Sequence, residues 1–257
     1  MAKSFYYPVA TATITDGNRD EVANGATTYT FTSGDTVTNE HRISDESIGL
    51  AISGFGSDDV LRFDLGASYA CDVIAIYMSA SDTSDMELYY GSSSTDMGTS
   101  ATMPITTTPP MTDTFSTGWN VRTFTEATKQ YWFVRASGDI APSEIIIGKK
   151  YDFDVNFDLN NTESDISGSD VITSYGGNEF SNKRHSQKAT WSWNWSNISS
   201  AMKTSLDTMK TAVEIDRLKF VYYDETNYHY VRMSGLDFTE VAFQRYSTSM
   251  SLTEQLQ

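Results

Sequence analysis

One cysteine, Cys71, is all the thiol chemistry this 257-residue chain contains. That excludes an internal disulfide and a multi-cysteine metal cluster, so the fold does not depend on an oxidising compartment. Cys71 opens the apolar run Val73–Tyr77, where a small buried residue is expected. Basic residues are also scarce: 18 Lys and Arg stand against 34 Asp and Glu, for a net charge of −16. The excess is spread out, with 9 basic and 19 acidic side chains in residues 1–150 and 9 and 15 in the rest. A field of that sign repels phosphate backbones and anionic lipid, so neither nucleic-acid nor membrane binding is expected.

No apolar run approaches the ~18 residues that a spanning helix needs. The segment Met1–Phe5 has one positive charge and no apolar stretch, so no signal peptide is expected and folding is assigned to the cytoplasm. Catalytic signatures are missing as well: no HExxH, GxSxG, P-loop or GxGxxG occurs. The three histidines, His41, His185 and His229, are far apart. Glycosidase chemistry needs two acids flanking a cleft. Asp152, Asp154 and Asp158 instead read as the wet face of a strand. The expectation is a protein without an active site.

What is abundant is strand-forming material. Aromatics reach 13%, and short apolar segments recur between Gly, Ser and Asp turns. Strands are predicted near 6–14, 26–32, 48–54, 59–64, 72–79, 86–90, 118–124, 130–137 and 144–148. Residues 91–113, with Pro109-Pro110, read as a loop. Near 150 the pattern changes. Tyr151, Phe153, Val155, Phe157 and Leu159 alternate with polar residues, which predicts the first strand of a second domain. The chain is thus expected to be mainly β, with a sandwich over 1–149 and an antiparallel β domain carrying one packed helix over 150–257.

Within the second domain, 160–182 reads as a long polar loop able to reach a neighbour. Trp191, Trp193 and Trp195 follow at alternate positions, so on a strand all three indoles share one face. Ile198, Met202, Leu206, Met209 and Val213 then recur at helical period, predicting a helix over 198–213 capped by Asn197 or Ser199. The indoles either stack on sugar rings or fill the gap beneath that helix, against Met202 and Leu206, as core or subunit interface. The second reading is preferred because the helical stripe needs a partner close by. Strands at 218–223, 228–233 and 246–252 close the domain. One candidate metal site remains: Asp16, Asn18 and Asp20 offer oxygens at i, i+2 and i+4, the spacing of a structural calcium loop, though without the later Glu of an EF-hand.

Two resemblances add to this reading. Val60–Gly66, Cys71–Tyr77, Thr128–Arg135 and Glu144–Gly148 resemble the strands of discoidin-type, galactose-binding-like domains. The resemblance covers about residues 5–150 and implies a jelly-roll β-sandwich that binds glycan or lipid through loops at one end. Phe55, between two glycines, and Trp119 are the candidate glycan contacts. Arg184 to Trp191, Leu206, Phe220–Asp224 and Tyr246 to Glu254 resemble the C-terminal regions of tailed-bacteriophage tail and baseplate proteins, distal tail proteins above all. In many of those the ring-forming region comes first and the sandwich second, the reverse of the order here.

This second resemblance implies a virion structural protein, assembled in the host cytoplasm. It would form a ring of its own copies, six by resemblance, that joins other tail and baseplate proteins. The alternative is a carbohydrate-binding adhesion module directed at a host-surface glycan.

Overall fold

The computed structural model describes residues 3–21, 28–34, 37–56, 59–84, 86–91, 93–99, 115–155, 157–159 and 161–255. The chain divides into two compact units, residues 4–151 and residues 152–256 with 1–3. Strands dominate, and one α-helix occurs among the described residues. No helix there is long and apolar enough to cross a membrane.

The N-terminal unit is built on β1 (Ser4–Pro8), β2 (Thr13–Glu21), β3 (Thr28–Ser33), β4 (Asp59–Met78), β5 (Met86–Gly91), β6 (Asp96–Thr99), β7 (Gly118–Ala136) and β8 (Pro142–Asp152). Two of these are very long, and each is a fusion of two expected strands. The first part of β4 lies between β2 and the end of β7, with Phe63 opposite both Ile14 and Trp132. Its last part lies between β8 and the start of β7, with Ile76 opposite Ile145 and Asn120. Between them the register slips from Asp64 to Tyr69, and Gly66 takes φ 76° with open space around it. That conformation suits glycine, and the slip lets one strand turn the corner between two sheets.

Alternation then settles the core. Leu61, Phe63, Ile74, Ile76, Trp132 and Ile147 point into one fully buried cluster between the sheets. Val60, Phe133, Phe31, Tyr89 and Met97 form a smaller cluster from the opposite parity. This is a β-sandwich. Elsewhere the expected 6–14 strand is split by Val9–Ala12, and 48–54 supplies only the bridge Thr38↔Ser53. Cys71 is buried as expected; burial first, then the neighbouring Asp72 charge, push its thiol up to about 12.

The C-terminal unit contains β9 (Thr162–Ile166), β10 (Ser169–Thr173), β11 (Glu179–Lys183), β12 (Lys188–Ser199), α1 (Ser200–Val213), β13 (Phe220–Tyr223), β14 (Tyr228–Ala242) and β15 (Arg245–Glu254). Five of the strands form an antiparallel run in the order β13-β14-β15-β12-β9. The register sets Trp191 opposite Leu252, Trp193 opposite Met250 and Trp195 opposite Thr248, all buried on one face. Helix α1 lies over the same face, where the Lys203 ammonium sits 5.2 Å from the Phe238 ring and 5.3 Å from the Tyr246 ring. Met202, Leu206, Met209 and Val213 are its buried stripe. The Ser199 hydroxyl accepts from Met202 N at 3.1 Å, so the helix begins after Ile198, which belongs to β12.

One expected strand is absent. Tyr151 and Asp152 finish β8, and residues 153–155 and 157–159 are irregular. The alternation there does not mark a sheet face. Phe153 and Phe157 instead fold onto the tryptophans, while Val155 and Leu159 stay exposed. Burying two rings against indole outweighs one more ladder, since aromatic pairs add about 0.5–1.5 kcal/mol each beyond the area they bury.

Candidate interaction surfaces

The three tryptophans are core, not a sugar platform. Trp191, Trp193 and Trp195 are 5%, 2% and 2% exposed. Phe157 stacks on Trp193 at 4.9 Å with planes 6° apart, and Phe153 stacks on Trp195 at 5.9 Å. Tyr222 meets Trp193 edge-on at 4.9 Å and Trp191 at 5.6 Å. The Trp195 indole N–H donates to Val155 O at 3.2 Å. Their faces are spent on one another. Met202 and Leu206 are fully buried beneath the helix.

The other candidates fare unevenly. Phe55 is 1% exposed and lies in the sandwich core, so it is no spike for glycan; the flanking glycines let the chain fold it inward. Trp119 is half-buried and leans edge-on against Tyr77 at 5.4 Å. Asp16, Asn18 and Asp20 lie on β2, paired with β3 and β4, and not in a loop. Alternate strand residues sit about 6.6 Å apart along a pleat, which does not wrap an ion. The buried Asp16 carboxylate accepts from Val37 N at 3.2 Å; the side chains of Asn18 and Asp20 lie outside the described residues. Among the described residues no cluster of three His, Cys, Asp or Glu could hold a metal.

Beside the tryptophans lies a recess of about 120 Å³, bordered by Lys3, Phe157, Glu163, Trp191, Tyr222 and Asp224. Its rim is electrostatically tied down. His229 holds Glu254 through Nδ1 at 3.1 Å and Asp224 through Nε2 at 3.1 Å, with its ring edge-on to Trp191 at 4.9 Å. Burial acts to raise the Asp224 carboxyl, but Asn227 N–H, His229 and Thr226 N–H outweigh it and hold the group below the usual range. Burial, then Asp224 and Glu163, push the Tyr222 phenol far up, so it stays a neutral core ring. The recess is small and the aromatic faces around it are already used. It reads as a seam of the core.

The exposed chemistry is elsewhere. The β9–β12 ladder ends at Ile166↔Lys188, and beyond it β10 and β11 continue as a two-stranded ribbon. Arg184 N donates to Gly168 O at 2.7 Å, closing the stem, and Ser174 N donates to Asn178 O at 2.8 Å, closing the tip at Tyr175-Gly176-Gly177. Ile172 pairs across the ribbon with Phe180, and they are 64% and 62% exposed; Val171 and Tyr175 are exposed too. A polar composition concealed this element, because its few apolar residues are diluted among Ser, Asn and Gly. Their pairing becomes visible only in the hairpin. A second exposed apolar point is the β14–β15 turn, where Val241 is 53% and Phe243 86% exposed.

No family model matches the sequence, and no curated protein sequence matches it. Among solved structures the chain is similar to chitosan-binding module 1 of a chitosanase/glucanase from Paenibacillus sp. IK-5. That match covers 55% of this chain and 98% of the module, at 16% identity and TM-score 0.34. A Clostridium perfringens structure, CpGH89CBM32-4, covers 56% and 99% at 8% identity and TM-score 0.36. The lectin domain of lectinolysin, complexed with Lewis B antigen, covers 55% and 94% at 10% identity and TM-score 0.34. With TM-scores below 0.5, these likenesses place the chain in no family, and the ligands in those names belong to those proteins.

Proposed function

We propose that this chain is a non-catalytic structural subunit that works by assembling with further copies of itself. The β10–β11 ribbon carries the reading. An isolated two-stranded hairpin is marginal in water, and apolar side chains displayed on one mark a surface meant to be covered. Among the described residues of the C-terminal unit no group of three His, Cys, Asp or Glu could hold a metal, whereas its ribbon reaches past its own sheet. The finer setting is a virion: a ring, of six copies by resemblance, in the tail or baseplate of a tailed bacteriophage, built in the host cytoplasm alongside other tail proteins. That setting rests on the likeness of Arg184–Trp191, Leu206, Phe220–Asp224 and Tyr246–Glu254 to distal tail proteins.

Light scattering across a concentration series, with negative-stain images of the same fractions, tests it. Closed oligomers are expected; a strict monomer at the highest concentration overturns the assembly reading.

A second reading, glycan recognition by the N-terminal unit, is favoured by one side chain. Trp119 is only half-buried and sits beside Gly118, whose φ of 96° turns the strand start. An indole face left open to solvent can stack on a sugar ring. Chitosan oligosaccharides and a Lewis-type tetrasaccharide are the first probes, by thermal shift with wild type and Trp119→Ala. A shift lost in the variant supports this reading, and no shift in either sets it aside.

A further inference from the structure

We infer that the outward face of the C-terminal sheet carries a site for an uncharged saccharide, separate from the Trp119 position and independent of self-assembly. The tryptophans and α1 occupy one face of β12, β14 and β15, so alternation turns Asn194, Ser249 and Asp237 to the other. The register sets these three in one row, Asn194 opposite Ser249 and Ser249 opposite Asp237. Beside it a second row sets Ser247 opposite Thr239. Asp158 flanks β12 on the side that β15 leaves open, where its N–H donates to Asn194 O at 2.8 Å. Together these residues line an open trough of about 430 Å³. That volume falls within the range of about 300–1,000 Å³ in which small-ligand sites lie.

The lining chemistry selects the ligand. Asn194, Ser249, Asp237 and Thr239 are exposed, and among the described residues no hydrogen bond engages the side chains of Asn194, Ser247, Ser249 or Thr239. A hydroxyl supplies one donor and two acceptor sites, and a side-chain amide supplies two of each. Such a floor complements a ligand whose own polar groups are hydroxyls. Short side chains also lose little rotamer freedom when a ligand settles on them, unlike Lys or Glu. At the two sides the carboxylates accept from hydroxyl donors, and charge-assisted bonds of that kind are roughly twice as strong as neutral ones. Lys210 Nζ stands 3.3 Å from Asp237 Oδ1, yet that carboxylate is 97% exposed and keeps room for a ligand.

Other ligand classes fit worse. Three strand spacings of about 4.8 Å set the Asp158 and Asp237 backbones about 14 Å apart, too far to share one cation. An anion meets both carboxylates and a chain of net charge −16. An apolar ligand finds nothing to cover, because Trp195, the one apolar side chain among the described lining residues, is 2% exposed. The same buried indole leaves no ring for a sugar to stack on, so recognition rests on hydrogen bonds and the affinity is modest, with Kd of about 1 mM or below.

Maltotriose, cellotriose and acetylated chitotriose, each titrated into the full chain to about 10 mM, test the site by amide NMR spectra. At least one is expected to shift the amides of Asn194, Ser247 and Ser249 saturably. Ser249→Lys lays a long charged side chain across the floor and is expected to abolish those shifts. Asn194→Ala with Asp237→Ala removes polar groups without adding any, and is expected to weaken binding at least about tenfold. These positions are exposed, and circular dichroism checks that each variant folds. Trp119→Ala is expected to leave the binding unchanged. No saturable shift with any of the three saccharides overturns the proposal. So does binding that survives either trough variant, or that disappears in Trp119→Ala and so belongs to the N-terminal unit. Calcium chloride that alone shifts these amides saturably, where the saccharides do not, makes the trough a cation site and overturns it too. None of these outcomes bears on self-assembly, which the light-scattering series decides separately.

Discussion

Trp193→Ala separates a core tryptophan from an interface tryptophan. The indole is 2% exposed, stacked on Phe157 and edge-on to both Tyr222 and Trp195. A buried Trp removes about 200 Å² from water. At about 25 cal/mol per Å² that is about 5 kcal/mol, part of which the alanine keeps. Truncation also leaves a cavity walled by Phe157, Tyr222 and Trp195, whose rings cannot all collapse into it. Trp→Ala changes of this kind cost about 3–5 kcal/mol. With a urea dependence of about 2 kcal/mol per M, the unfolding midpoint of the C-terminal unit falls by about 2 M. The assay is urea denaturation followed by tyrosine and tryptophan emission, at a concentration where the wild type is monomeric. A loss under about 1 kcal/mol there, with assembly abolished at higher concentration, refutes the core assignment, because an interface residue affects association and leaves the monomer alone.

Three more expectations follow from local geometry. Because the folded chain holds the Asp224 carboxyl below its usual value near 4, its contribution is full above about pH 4 and lost as pH falls through the lower folded value. Asp224→Asn therefore flattens the acid limb of a plot of urea midpoint against pH; an unchanged limb contradicts this. Cys71 is buried and its thiol stands at about 12, so native protein reacts with a disulfide reagent far more slowly than urea-unfolded protein, and equal rates contradict the burial. Gly148→Ala sets a methyl carbon 1.9 Å from Tyr7 O, where backbone must shift, and a loss of about 1–3 kcal/mol in the N-terminal unit is expected by thermal melting.

Much of the architecture was legible in the chain, and the misses share a cause. Trp191, Trp193 and Trp195 alternate because β12 buries one face, and Met202, Leu206 and Met209 recur at 3.6 because α1 lies on that face. Ile198 matched the same period by chance and sits on the strand, where a register slip after Trp195 turns it inward. Phe153 and Phe157 also looked periodic, yet their partners are the tryptophans some forty residues on. Periodicity reports that a side chain wants burial. It does not say against what. Phe55 shows the converse, since glycines on both sides suggested a displayed ring and the sandwich folded it into the core.

By itself the sequence determined what short-range physics controls: a mainly β chain, one helix starting near Asn197 or Ser199, a thiol in an apolar strand, and a net charge of −16. These follow from side-chain alternation, helical period and composition, none of which needs a distant partner. Only tertiary structure decided that β4 and β7 bend through two sheets, that Asp16 serves a backbone amide, and that Ile172 and Phe180 meet on a projecting ribbon. Each of those depends on pairing between residues far apart or across a turn, where the gain from burial or a satisfied hydrogen bond belongs to the pair and is written in neither residue alone.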